Sequence, residues 1–177
     1  FSRSVKRLFE NNQHLTSIDL SRNRLDDSTA KSICEGLSMS PIVVSLILSK
    51  NRFSKASIPH FTKMVRRCQS LDKLNLSTNP MLFDDVHTKN DPTKEDVKCA
   101  TQLLGSGLGY LNVSETGLTP KAALNLLRSL LTSETVRVVH LSRNRLREIS
   151  TVIATKIIPD LANQGMTSLK RLVVENI

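Results

Sequence analysis

The apolar residues of this chain come in short alternating bursts, separated by longer stretches in which they recur three and four positions apart. The bursts are "LTSIDL" (15–20), "VVSLIL" (43–48), "LDKLNL" (71–76), "LGYLNV" (108–113), "VRVVHL" (136–141) and "LKRLVV" (169–174). Successive side chains of an extended backbone point to opposite faces, so each burst predicts a short strand with one buried face. The predicted inward pairs are Ile18 and Leu20, Leu46 and Leu48, Leu74 and Leu76, Leu111 and Val113, Val139 and Leu141, and Leu172 and Val174. Between the bursts, helical spacing links Ala30, Ile33 and Leu37, then Ile58, Phe61, Val65 and Cys68. It also links Ala123, Leu126 and Leu130, and finally Val152, Ile153, Ile157 and Leu161. Strands alternating with helices predict an α/β chain with a parallel sheet.

The bursts begin at 15, 43, 71, 108, 136 and 169, so successive starts lie 28, 28, 37, 28 and 33 residues apart. A recurrent period of this length marks an array in which each unit leans on its neighbours. After each of the first five strands the chain writes a variant of one phrase: "SRNRL", "SKNRF", "STNPM", "SETGL" and "SRNRL". Its asparagines, Asn23, Asn51, Asn79 and Asn144, stand where the chain leaves the strand. An amide there can both donate to and accept from backbone groups that the turn leaves unpaired. Thr116 replaces the asparagine in the fourth copy, which predicts a weaker junction.

Taken together, each copy reads LxxLxLxxNxL, which resembles the leucine-rich repeat family. The 28-residue period resembles that family's ribonuclease-inhibitor-like subfamily. The resemblance spans residues 1–177 and implies an α/β solenoid of about 5.5 repeats, a curved horseshoe arc with a concave parallel β-sheet and convex helices. Simple dimensions agree, since a helix is roughly 10 Å wide and strands sit roughly 4.8 Å apart, so stacking both must bend the array. The resemblance further implies a non-catalytic protein-interaction scaffold that binds along the concave face or the strand-exit loops. Two units depart from the period. The third carries a polar insertion at 82–98, expected to project as a loop, and the fifth predicts a lengthened helix over 148–163. A start at Phe1 without Met, and an end inside a motif at Ile177, are expected of a piece of a longer protein.

Composition and charge refine this picture. Aromatic residues make up only 3% of the chain and Trp is absent, so the core must be aliphatic. The longest apolar runs, such as "IVVSLIL" (42–48), are too short to span a bilayer. Cys34, Cys68 and Cys99 are odd in number and lack metal-ligand spacing, which predicts core thiols in a reducing, cytoplasmic compartment. His14, His60, His87 and His140 fall at different phases of the repeat, so neither a metal site nor a cofactor is expected. "GSGLG" (105–109) precedes a strand and lacks a following Lys, so it reads as a helix stop and not as a phosphate loop. Ser21, Ser49, Ser77, Ser114 and Ser142 form a column with no base recurring beside it, and no catalytic residue is expected among them.

The net charge of +9 has a location. Arg22, Lys50 and Arg143 share one position of the loop phrase, and Arg24, Arg52 and Arg145 share another, while the middle repeats are nearly neutral there. Arg137, Arg147, Lys170 and Arg171 reinforce the C-terminal cluster. On the strands' outward positions, Lys73, Tyr110, His140 and Arg171 are the candidates for contact with a partner. Such cations suit a protein with an acidic surface, or an acidic phosphoinositide membrane. Nucleic acid is disfavoured because one Tyr and few exposed Phe offer little for bases to stack on. A GTPase-activating role of the Ran-activator type is a further alternative, though an acidic tail of that kind is missing.

Overall fold

The computed structural model describes residues 2–12, 14–38, 40, 42–83, 101–104, 107–163 and 168–176. The bursts form six three-residue strands: β1 (Ser17–Asp19), β2 (Ser45–Ile47), β3 (Lys73–Asn75), β4 (Tyr110–Asn112), β5 (Val138–His140) and β6 (Arg171–Val173). They make one sheet in sequence order, every neighbouring pair parallel. The register is in phase throughout, so Ile18, Leu46, Leu74, Leu111, Val139 and Leu172 lie in one line. Leu46, Leu74, Leu111 and Val139 are fully buried, and two residues later so are Leu48, Leu76 and Leu141.

Pairing continues past each strand. The backbone N–H of Leu20 donates to Ile47 and that of Arg22 to Ser49, and the same two bonds recur at every junction through to Val173 and Glu175. To hold that line the residue after the serine column takes a left-handed backbone, at Arg22 (φ 60°), Lys50 (57°), Thr78 (56°), Glu115 (58°), Arg143 (57°) and Asn176 (52°).

Helices return the chain along the other side: α1 (Ser2–Asn11), α2 (Asp27–Leu37), α3 (Ile58–Arg67) and α4 (Pro120–Leu130). Their starts are written locally. Asp26 accepts from Thr29 N to cap α2, and Thr119 accepts from Ala122 N to cap α4, with Pro120 in its first turn. Ser54 caps a 3₁₀ turn (Lys55–Ser57) that leads into α3. The Asp27 carboxylate accepts from Ser54 N at 2.8 Å and from the hydroxyls of Ser54 and Ser57, tying one unit's helix to the next unit. Gly36 lies against the buried Phe9 ring, the close approach that seats α1 on α2. The core between sheet and helices is aliphatic apart from Phe residues such as Phe53 and Phe61, which meet edge to face at 5.3 Å.

The lengthened helix expected over 148–163 is a composite. A 3₁₀ turn (Arg147–Ile149) runs into α5 (Ser150–Val152), a π-turn (Ile153–Ile157) and α6 (Ile158–Asn163). The wider π-turn absorbs extra residues while keeping Ile153 and Ile157 buried. Val152, expected inward, is 37% exposed, because the turn before the π segment rotates it out of the apolar stripe. Most of the 82–98 insertion lies outside the described residues, and Leu82 and Phe83, at its start, are buried. Among the described residues no helix is long and apolar enough to cross a membrane.

Candidate functional site

The asparagine phrase resolves into a ladder. Asn51 Oδ1 accepts from Asn23 N and Leu25 N, both at 3.0 Å, and its Nδ2 donates to Leu20 O and Leu48 O at 3.0 and 2.9 Å. Asn144 repeats this pattern, accepting from Thr116 N and Leu118 N and donating to Val113 O and Leu141 O. Asn79 accepts from Phe53 N and donates to Leu48 O and Leu76 O. Each of these buried amides therefore stitches its own turn to the preceding unit. Asn23, at the start of the series, is exposed and donates to Ser21 O within its own turn. Thr116 donates its hydroxyl to Val113 O of its own unit at 2.6 Å, with Asn144 Oδ1 of the next unit a more distant acceptor at 3.4 Å.

The loop cations Arg22, Arg24, Lys50, Arg52, Arg143 and Arg145 are all exposed. The first four lie on adjacent loops, which bond directly through Arg22 N to Ser49 O and Arg52 N to Leu25 O. They are separated from the C-terminal pair by a self-satisfied stretch. Thr78 Oγ1 donates to Glu115 Oε2 at 2.9 Å, and Glu115 Oε1 lies 3.9 Å from Arg143 Nη1. The cations thus form two patches, with the larger at the N-terminal end. Arg137, counted by sequence with the C-terminal cluster, is instead paired with Asp72 at 2.6 Å, spanning two strands. Gly109 lies between them, and a Cβ there would run into both side chains. Glycine at the start of β4 could have signalled this crossing.

The outward strand positions gather a second group. Lys73, Tyr110, Val138 and Arg171 share one row of the sheet; Asp19, Ile47, Asn75, Asn112, His140 and Val173 share another. Lys73 Nζ sits 5.1 Å from the Tyr110 ring centre, and the Tyr110 and His140 rings are 5.4 Å apart. Partial burial holds the His140 pKa below its ordinary value, with Arg171 adding in the same direction and Glu175 opposing. Lys73, Tyr110, His140 and Arg171 are thus brought to one half of the sheet face. The sequence singled out those four and passed over Asn75 and Asn112, whose outward, in-row placement was available from the period alone.

Cys34 and Cys68 are free and buried, and burial raises both thiol pKa values; the Cys68 thiol donates to Leu37 O. Among the described residues, no three His, Cys, Asp or Glu side chains gather as a metal site would require.

Comparison with known proteins places this geometry. A family model described as Leucine Rich repeat matches residues 11–34. The solved tropomodulin C-terminal domain from Caenorhabditis elegans is similar in structure, with a TM-score of 0.68 and 13% sequence identity, covering 92% of each chain. No curated protein matches. The sheet topology, the ladder and these two matches agree on one architecture.

Proposed function

Starting from an α/β leucine-rich repeat solenoid, we propose that this chain is a non-catalytic scaffold of the ribonuclease-inhibitor-like kind that holds a protein partner with an acidic surface. The contact uses the concave sheet face and the basic strand-exit loops. A repeat array presents a long, preformed surface, and domains of this fold serve generally as interaction modules. The buried free thiols of Cys34 and Cys68 support a reducing, intracellular setting.

The observation that carries the reading is the backbone beneath the cations. Arg22, Lys50 and Arg143 all sit at left-handed φ, where a residue with a Cβ costs about 1 kcal/mol or more. The turn itself is satisfied by a short residue, as Asn176 shows in the same column. Long cations at these positions therefore add nothing to the turn, and their exposed guanidinium and ammonium groups are presented by a rigid ladder. Arginine's fork is suited to carboxylates.

Affinity capture from lysate tests it, comparing the wild-type chain with one in which Arg22, Arg24, Lys50, Arg52, Arg143 and Arg145 are all Glu. The expected result is a stoichiometric protein retained by the first and lost from the second. Capture that is unchanged by the six substitutions would remove the loops from the interface.

A second reading has its own support, since Arg22, Arg24, Lys50 and Arg52 make a compact exposed patch. Four such cations would contribute roughly 1 kcal/mol each at an anionic membrane. Sedimentation with vesicles containing phosphoinositide separates that source of anions from a protein.

A further inference from the structure

The row Asp19–Ile47–Asn75–Asn112–His140–Val173 crosses the whole sheet face, and one turn recurs in it. Asp19 Oδ1 accepts from the backbone N–H of Ser21 at 2.9 Å. Asn75 Oδ1 accepts from Ser77 N and Asn112 Oδ1 from Ser114 N, each at 3.0 Å. A backbone N–H can only donate, so it fixes which end of each amide faces it. The oxygens of Asn75 and Asn112 are turned to the strand-exit backbone, and their Nδ2 groups are left as donors. Both side chains are half-exposed, and neither Nδ2 bonds to another described residue.

On three consecutive strands, then, the row presents two oriented amide donors followed by the imidazole of His140. The adjoining row adds the Lys73 ammonium over Tyr110 and the exposed Arg171 guanidinium. Ile47 and Val173 flank the polar run on either side, and Val138 sits between Tyr110 and Arg171 in the next row. At the other end of the same row stands Asp19, whose pKa is lowered by its bonds to Ser21. Glu175 stands past the end of β6, exposed. The strands themselves are therefore polarised: donors and cations on β3 to β6 and a carboxylate on β1, with Glu175 beyond the strand end at the β6 margin.

From this placement we infer that the β3–β6 half of the concave face is a docking site for an acidic peptide segment of the partner, its carboxylates over Asn75 and Asn112 and its aliphatic side chains over Ile47, Val138 and Val173. The inference rests on the scaffold reading and names what that scaffold recognises. Charge complementarity selects the occupant, because a surface of N–H donors and cations matches carboxylates, while Asp19 repels them from the β1 end. Oriented donors matter more than the cations here, because they are already held in place by the backbone and lose little freedom on binding.

The structure supplies its own control. Asp19 shows that aspartate makes the same turn as Asn75 and Asn112, so Asn75→Asp and Asn112→Asp preserve the fold while turning each outward donor into an acceptor with negative charge. The experiment pans a displayed library of random peptides against the full wild-type chain and measures the retained peptides on the double variant. The expected outcome is enrichment in Asp and Glu among the binders and at least a tenfold loss of affinity on the double variant, on the order of 1.4 kcal/mol, with its melting temperature unchanged. Binders without acidic enrichment, or equal binding to both proteins, overturn the site. Binders that are lost on the six-fold loop variant but kept by the double Asp variant also overturn it, and leave the scaffold reading standing. If the library yields nothing and the wild-type chain captures no protein, both readings fail.

Discussion

The two halves of the array meet different demands with the same repeat. From β1 to β3 the units keep a strict 28-residue period, Asn51 and Asn79 bridge neighbouring turns, and α1 is seated on α2 through Phe9 and Gly36. In the other half the period breaks before β4 and again before β6, Thr116 stands in the ladder and a π-turn interrupts the last helical run. Yet it is largely this second half that gathers Tyr110, Asn112, His140 and Arg171 on the open face. Regularity is spent on cohesion in one half, and polar surface chemistry is concentrated in the other. The physical link is that the ladder acts on the turns, whereas the outward strand positions are free to vary without touching either ladder or core.

The sharpest way to test this contrast is to remove a ladder side chain from each half. Asn51→Ala deprives Leu25 N and Leu48 O of a buried partner, together with the bonds to Asn23 N and Leu20 O. Leaving several backbone groups unsatisfied should cost about 3 kcal/mol. Thr116→Ala removes one hydroxyl, bonded closely to Val113 O and more distantly to Asn144 Oδ1, and should cost about 1 kcal/mol. Thermal unfolding should separate the two variants by roughly 5 °C for a chain of this size. Equal losses would mean that the ladder does not distinguish the halves.

Next in size is the seating of α1. Alanine at 36 places its Cβ against the Phe9 ring, which is 2% exposed and has no room to retreat. Overpacking of this kind costs about 2 kcal/mol. Because each unit leans on its neighbours, the loss should appear as faster hydrogen exchange in α1 and α2, with β4–β6 little affected. Uniform loss of protection along the array would show instead that the halves unfold as one.

Much of this architecture is legible in the sequence, and for an identifiable reason. Both strand and ladder positions are set by a period that repeats five times, so the inward line from Ile18 to Leu172 and the role of Asn51, Asn79 and Asn144 follow from counting. What counting misses is whatever depends on one neighbour and not on the period. The Arg137–Asp72 pair spans 65 residues and needs Gly109 between its members, which no single unit displays. The π-turn that exposes Val152 is a local response to a longer unit. The left-handed backbone at Arg22, Lys50 and Arg143 runs against residue preference, because arginine and lysine give no hint of it. The site candidates were partly legible. Outward positions could be named from the period, but the orientation of Asn75 and Asn112 required the Ser77 and Ser114 N–H groups to be seen donating to them.

The smallest effect expected is also the most local, and it bears on the second half alone. Burial, and then the nearby Arg171, hold the His140 pKa below its ordinary value, while Glu175 pulls it back. A base whose folded pKa is depressed is protonated more readily in the unfolded chain, so it costs the fold nothing above the ordinary histidine range near pH 6.5. As the pH falls below that range and toward the folded pKa, the unfolded state takes up the proton first and stability declines slightly. An acidic peptide over Asn112 and His140 changes the balance, because its carboxylates favour the charged imidazole. Over the same interval, therefore, the free chain should lose a little stability while peptide affinity rises. The carboxylates of Asp19 and Asp26, whose pKa values are lowered by their own hydrogen bonds, titrate below this interval and leave it clear. Titrating peptide affinity and thermal midpoint from pH 7.5 to about 5, in the wild-type chain and in His140→Gln, measures both. Opposite trends in the first protein that flatten in the second tie the histidine to the binding half of the face. An affinity that rises equally in both would place the pH-sensitive group on the peptide and detach His140 from the site.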